Sequence, residues 1–326
     1  VRVPRGGLQT KPRALNYALG FCRGQIVGVW DAEDAPDPDQ LHRVVRRFRE
    51  RGPEVACLQG ILDYYNSGTN WLSRCFTIEY ASWFGVVLPG LQKLKLALPL
   101  GGTTLYFRRA ALEKLGGWDA HNVTEDADLG IRLTRAGGTI GLLDSATLEE
   151  APATFGQWLP QRTRWIKGWM QTYLVHTRCP WRLLRQLGAW RCFGFHALFA
   201  GFLLSALAFP LMFLAIGYEL SRPAPFASAP GSIHRLALVV AFAEIAIGVL
   251  AALLTGLIGA WRGGLVRLAG NVLIAPLYWM LISAASYRAL SQIIRNPYFW
   301  EKTAHAPRRT TMGAKRRKPR RPRRTK

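Results

Sequence analysis

The chain has 326 residues, of which 49% are hydrophobic and only 19% charged, which excludes a disordered chain and leaves material for more than one folding unit. Its formal net charge of +23 points to an anionic partner, but eleven of the positive charges lie between Arg308 and Lys326, and subtracting them leaves +12. That tail interleaves no aromatics, so no nucleic-acid partner is expected, and anionic lipid headgroups are the better match.

Val1 to Lys11 is a basic loop containing Gly6 and Gly7, followed by a helix carrying Ala14, Leu15, Ala18 and Leu19. Ile26 to Trp30 is a short apolar run that reads as a buried strand, and it ends in Asp31-Ala32-Glu33-Asp34. Pro36 and Pro38 break the chain before a helix with Leu41, Val44, Val45 and Phe48 on one face. Val55 to Gln59 is the next strand. This alternation predicts an open α/β sheet with parallel neighbours.

Between Asn70 and Leu100, Trp71, Phe76, Tyr80, Trp83 and Phe84 precede Lys93 and Lys95, which suits a helix against protein or at a bilayer interface. Gly101-Gly102 leads into a strand from Thr103 to Phe107, then a helix from Ala110 to Leu115. Asn122 to Gly130 follows, with Glu125, Asp126 and Asp128 in the first turn of a helix marked by Leu129, Leu133 and Ala136 and stopped at Gly137-Gly138. Asn122 or Thr124 can cap that helix through a side-chain oxygen. Asp128 reads as a solvated or capping acid. A strand is expected near Thr139 to Leu143.

Pro160 is suited to the first turn of a helix spanning Gln161 to Leu174. On it Gln161, Arg164 and Trp165 project from one face, while Ile166, Met170 and Leu174 form a separate apolar stripe. Phe193 to Leu214 and Leu236 to Ala260 are long enough and apolar enough to cross a bilayer, with Glu244 inside the second. Glu244 is either functional or simply faces another helix. Leu268 to Leu290 is a third apolar run, broken by Asn271 and Pro276. Three crossings would carry the basic tail away from the face marked by Arg262, Arg267 and the arginines between Arg178 and Arg191. The third run is therefore expected to be interfacial or re-entrant, keeping the tail cytoplasmic. Cys22, Cys57, Cys75, Cys179 and Cys192 have no zinc spacing and read as reduced thiols.

Asp31, Glu33 and Asp34 lie at the carboxyl end of a predicted strand, where open α/β sheets bind ligands. Clustered carboxylates there suit Mg²⁺ or Mn²⁺ bridging a diphosphate. Glu125–Asp126 would add a carboxylate free to take a proton, and Gln161, Arg164 and Trp165 a diphosphate-binding cation and an aromatic platform for a sugar.

Several motifs occur in order: Lys11-Pro12-Arg13-Ala14-Leu15-Asn16, Asp31-Ala32-Glu33, Gly101-Gly102-Thr103, Gly116-Gly117-Trp118-Asp119, Thr124-Glu125-Asp126 and Gln161-Arg162-Thr163-Arg164-Trp165. Through them the chain resembles the processive family 2 glycosyltransferases, the cellulose-synthase-like and hyaluronan-synthase-like membrane enzymes. The resemblance implies a GT-A (Rossmann-like) α/β domain, partial here because the chain is expected to be N-terminally truncated, followed by interfacial and transmembrane helices. It implies Asp126 as general base, Asp31 and Glu33 as metal ligands, and Lys11 at the nucleotide. Arg164 would hold the diphosphate and Trp165 the acceptor sugar, with Gln161, Glu125, Gly102 and Thr103 lining the substrate site. The family's second metal carboxylate is Asp where this chain has Glu33, with Asp34 beside it. The expected reaction moves a hexose with inversion from a nucleotide sugar, UDP-glucose by default, to a growing polysaccharide or lipid-linked acceptor at the cell membrane; the alternatives are a non-processive transferase acting on a lipid acceptor and a non-catalytic basic membrane scaffold. Expected boundaries are a partial GT-A domain at 1–156, an amphipathic interfacial region at 157–192, a membrane region at 193–294 and a disordered basic cytoplasmic tail at 295–326. Tyr298 to Thr303 falls where processive synthases place a gating loop, though an interfacial aromatic anchor fits it too.

Overall fold

The computed structural model describes residues 1–222 and 233–301. Five strands form one mixed sheet: β1 (Ile26–Val29), β2 (Ala35–Pro36), β3 (Val55–Tyr64), β4 (Leu105–Arg108) and β5 (Thr139–Glu149), in the order β1-β4-β3-β5-β2. The expectation of parallel neighbours is corrected here. Only β3 and β5 run parallel, and β1 is separated from β3 by antiparallel β4. Two apolar runs flanking a helix cannot reveal that a later strand inserts between them.

β3 and β5 are also longer than their apolar stretches. Beyond Leu143 the inward positions of β5 are Ser145 and Thr147, both buried, whose hydroxyls meet the buried amide of Gln40 at 3.2 and 3.3 Å. A strand whose inward residues turn polar stops looking like a strand from hydropathy. Those extra residues carry Glu149 to the edge of the site.

Side chains alternate across the sheet as the strand period of two requires. Cys57, Phe107 and Val27 join one core with Leu129, Leu133 and Trp118. Leu58, Tyr106 and Val55 join another with Val44 and Phe48 of α2 (Gln40–Glu50). The first face is covered by α1 (Lys11–Leu19), α5 (Arg109–Lys114) and α6 (Glu125–Arg135).

α3 (Trp71–Ser82) is started by a reciprocal capping box between Asn70 and Ser73, and runs through a π-helical turn at Trp83–Val87 into α4 (Leu88–Lys93). α7 (Phe155–Thr177) begins earlier than expected, capped by Thr154, whose Oγ1 accepts from Gln157 N, so Pro160 lies inside the helix rather than in its first turn. Its stripe is split: Ile166 and Met170 are buried, while Leu174 is exposed.

α8 (Pro180–Ser221) contains Gly188 at φ 76°, a conformation that glycine adopts without strain. That kink divides an amphipathic first segment from the apolar span beyond it. α9 (Ile233–Arg262) follows, then a 3₁₀ stretch (Val266–Ile274) and α10 (Ala275–Arg295). Three stretches, Pro180–Ser221, Leu238–Arg262 and Val266–Arg295, are long and apolar enough to cross a membrane. α7 joins the two halves. Trp158, Ile166 and Met170 pack with Tyr278, Ile282 and Ala285 of α10, and Trp169 and Tyr173 pack with Phe195 and Phe199 of α8.

Candidate active site

A single cavity of about 1320 Å³ opens beyond the ends of β1 and β5 and continues between the apolar helices. It is lined by Lys11, Asp31, Glu33, Gly102, Thr103, Glu125, Asp126, Gln161, Arg164 and Trp165, so every candidate residue named from the sequence converges on one space.

The loop 101–104 is held by Gln59 from β3. Gly101 N donates to Gln59 Oε1 at 2.7 Å, and Gln59 Nε2 donates to Thr103 O at 3.2 Å. On that loop Gly102 O accepts from Lys11 Nζ at 2.8 Å, and Lys11 also pairs with Asp31. A side chain at Gly102 would begin 3.4 Å from Asp126 Oδ2. The glycine thus keeps the space in front of that carboxylate clear. Thr103 donates its hydroxyl to Asp34, whose Oδ2 also accepts from Asp31 N at 2.8 Å. Burial works against the Lys11 ammonium, but Asp31, Glu125 and Asp126 outweigh it and raise its pKa, so Lys11 carries its charge.

Asp126 stands at the start of α6. Neither expected capping side chain bonds to a helix N–H: Thr124 occupies the N-cap position without a side-chain cap, and Asn122 Oδ1 accepts from Thr124 N at 2.9 Å. Burial raises the pKa of both acids. Glu125 is pushed further by the adjacent Asp126, while N–H groups of the helix start, Lys11 and Arg164 pull both acids back. Two adjacent buried carboxylates resist ionising together, and the cations and N–H groups around them favour the charged form.

Asp128 is not solvated. It is 1% exposed, paired with Arg132 Nε at 2.7 Å and His176 Nε2 at 3.0 Å. Arg135 lies 2.6 Å from His176 Nδ1, which makes Nδ1 the acceptor and Nε2 the donor to Asp128. These contacts tie α6 to α7, and removing the imidazole would leave a buried carboxylate short of a partner, at a cost of about 1–3 kcal/mol.

One residue carries weight that sequence reading did not give it. Glu149, at the end of β5, lines the cavity with Oε1 buried and unbonded, and burial followed by repulsion from Asp34 and Asp31 raises its pKa well above normal. Asp34 Oδ1 is likewise buried without a partner. The signal for Glu149 was present in the Glu149-Glu150 pair closing a strand, but hydropathy had ended that strand at Leu143. Trp300 also lines the cavity, with the Arg164 guanidinium 4.7 Å from its ring centroid.

Residues 296–301 are packed on α7, although the disordered tail was expected to start at 295. Lys167 Nζ donates to Phe299 O at 2.7 Å, Gln171 Nε2 to Pro297 O at 2.8 Å, and Glu301 pairs with Arg288 at 2.8 Å. The strongly basic stretch from Arg308, with Lys302 and Thr303, lies outside the described residues.

Among the described residues no three His, Cys, Asp or Glu side chains converge as a metal cage. The donor set still suits a hard cation that takes one or two carboxylates and completes its shell with phosphate oxygens. The unbonded oxygens of Asp34 and Glu149 are of that kind.

Residues 26–291 match the family model for glycosyl transferase family group 2. The chain belongs to this family. It is 32% identical over 227 residues to the beta-monoglucosyldiacylglycerol synthase of Synechocystis sp., covering 66% of this chain and 44% of that protein. It is 30% identical over 168 residues to a probable glycosyltransferase of Bacillus subtilis, covering 51% of this chain and 40% of that one. It is 30% identical over 143 residues to glucomannan 4-beta-mannosyltransferase 7 of Arabidopsis thaliana, covering 44% and 26%. The chain thus spans less than half the length of these relatives. Among solved structures, the Pyrobaculum calidifontis mannosyltransferase in complex with GDP-Man and Mn²⁺ shares the GT-A fold at a TM-score of 0.52 and 18% identity, covering 88% of this chain and 67% of that one. The chain is therefore a member of glycosyl transferase family group 2 with a GT-A-type mixed sheet and, among the described residues, three stretches long and apolar enough to cross a membrane.

Proposed function

We propose that this glycosyltransferase moves a hexose, with inversion, from a nucleotide sugar to an acceptor hydroxyl that reaches Asp126 from the membrane side. The observation that carries the reading is the cavity itself: one continuous space runs from Lys11, Asp31 and Asp126 to the faces of α8, α9 and α10. Asp126 takes the acceptor proton as oxygen bonds to the anomeric carbon, and the nucleoside diphosphate leaves from the opposite face with the bonding electrons. Arg164 and Lys11 supply positive charge for that leaving group. Trp165, packed against Phe76 and Tyr80 at 5.8 and 6.1 Å, offers its ring to the acceptor, with Gln161 beside it on α7. Thr103 fixes Asp34, and Gly102 clears the approach to Asp126.

A Mg²⁺ or Mn²⁺ ion held by Asp31 with Glu33, or by Asp34 and Glu149, would neutralise the departing diphosphate when bound. UDP-glucose is the donor we assign. The Mn²⁺ in the Pyrobaculum complex and the glucosyl transfer in the Synechocystis relative's name support these choices. The names of the relatives divide on the acceptor, diacylglycerol in one and glucomannan in another. The three long apolar stretches and the flanking arginines support membrane residence with the acidic site cytoplasmic.

The test is the anomeric configuration of the product. Full-length protein given the α-linked donor UDP-glucose yields a β-glucoside, read from the anomeric proton coupling. An α-glucoside would show retention and contradict a single displacement at Asp126.

A further inference from the structure

The far part of the cavity differs in chemistry from the part around Asp126. α9 contributes Ala241, Ile245, Gly248, Val249, Ala252 and Gly256 to its wall, and α8 adds Phe209 and Met212. Few polar groups interrupt this arm, and most of their hydrogens are committed. Thr255 donates to Ala251 O at 2.7 Å, Ser283 to Trp279 O at 3.0 Å and Asn271 to Leu268 O at 3.1 Å. Glu244 is the only acid of α9 and lines the same wall.

A polysaccharide entering such an arm would bring several hydroxyls per sugar, and each one left unbonded in an apolar space carries a desolvation cost. One carboxylate cannot serve them. A hydrocarbon chain meets no such penalty. The volume of about 1320 Å³ also exceeds the roughly 300–1,000 Å³ usual for a single small ligand, leaving room for a donor and a chain together.

Where α3, α7 and α10 meet, Arg162 makes a two-pronged ion pair with Glu79, at 2.7 and 2.6 Å, and Tyr278 donates to Glu79 at 2.7 Å. The Arg162 charge is thus neutralised. Arg164, by contrast, is engaged electrostatically with Glu125 and Asp126 at the polar end. Among the described residues lining the cavity, Lys11 and Arg164 are the other cations, both beside the acids at the polar end, and none lines the apolar arm.

We propose that the acceptor is an uncharged lipid alcohol of the diacylglycerol type, with an acyl chain in the arm between α8, α9 and α10 and its hydroxyl at Asp126. This rests on the transfer reaction proposed above and names its acceptor. The donor end and the lipid end then share one cavity, and the product leaves as a glycolipid rather than as a growing chain.

The experiment uses full-length protein in phosphatidylcholine nanodiscs, given radiolabelled UDP-glucose and, in parallel, GDP-mannose. Its acceptor is a diacylglycerol with a diazirine along one acyl chain. Label is expected in an organic-extractable glycolipid. Photolysis is expected to mark α9 between Ala241 and Gly256, with excess plain diacylglycerol removing the mark. Ala252→Trp, which fills the arm, reduces both signals by about ten-fold or more. Label found only in alcohol-insoluble polymer overturns the lipid assignment and leaves the transfer reaction standing. So does photolabelling that excess diacylglycerol does not compete. Absence of any Asp126-dependent transfer from either donor removes the underlying reaction, and this acceptor with it.

Discussion

Glu125 and Asp126 are consecutive carboxylates at one helix start, and their burial makes simultaneous ionisation costly. For Glu125 burial is the larger cause and Asp126 the second, so its folded pKa lies above its unfolded value. Such a group stabilises the fold fully only below the unfolded pKa, and that contribution is lost as pH rises through the folded one. Glu125→Gln should therefore melt increasingly above the wild type as pH rises from the acidic range past neutrality. A melting-temperature difference that stays flat with pH would contradict this. The same scale shows what the sequence could disclose. Lys11, Asp31, Asp126 and Trp165 stood in recognisable motifs and do line one cavity. Asp128 was misread because acids in a first turn usually face water, and its partner His176 lies 48 residues away on α7.

α6 and α7 meet through a contact with no spare room. A methyl group on Gly168 would lie 2.3 Å from Thr124 Oγ1 and 2.7 Å from its Cβ, at the residue just before Glu125. Gly168→Ala gains about 1 kcal/mol of helix propensity, but the overpacking it forces costs about 1–3 kcal/mol. The expected outcome is a lower melting temperature together with a fall in kcat, because the shift is applied to the turn that carries Asp126. Unchanged kcat in a stably folded variant would mean that this contact does not set the catalytic geometry. Most helix and strand identities were legible from periodicity, though β2 at Ala35–Pro36 read only as a proline break, and extents were not legible. Thr154 starts α7 ahead of the proline that looked like its first turn, and buried Ser145 and Thr147 hid the second half of β5.

Across the whole molecule, the sheet domain and the apolar helices are coupled through α7, which packs on α6, α8 and α10. Order along the chain predicted the succession of these regions, but not that α3, α7 and α10 would be pinned by the Glu79, Arg162 and Tyr278 cluster. Long-range polar pairs have no periodic signature. The third apolar stretch, Val266–Arg295, is long enough to cross, yet the basic residues near both of its ends favour one side. In two full-length variants each left with one cysteine, Lys326→Cys in one and native Cys179 in the other, both should react with an impermeant maleimide from the same membrane side; Cys179 is exposed between α7 and α8. Reaction from opposite sides would show that α10 crosses the bilayer.

The central claim is that Asp126 takes the acceptor proton during sugar transfer. It is tested most directly by Asp126→Asn in the full-length enzyme, with donor binding measured alongside so that failure to bind is told apart from failure to transfer. Asparagine keeps the side chain's size and cannot accept the proton, so transfer should fall by about 10²–10⁴-fold in protein that still binds the donor. Transfer within a few-fold of wild type would contradict the account.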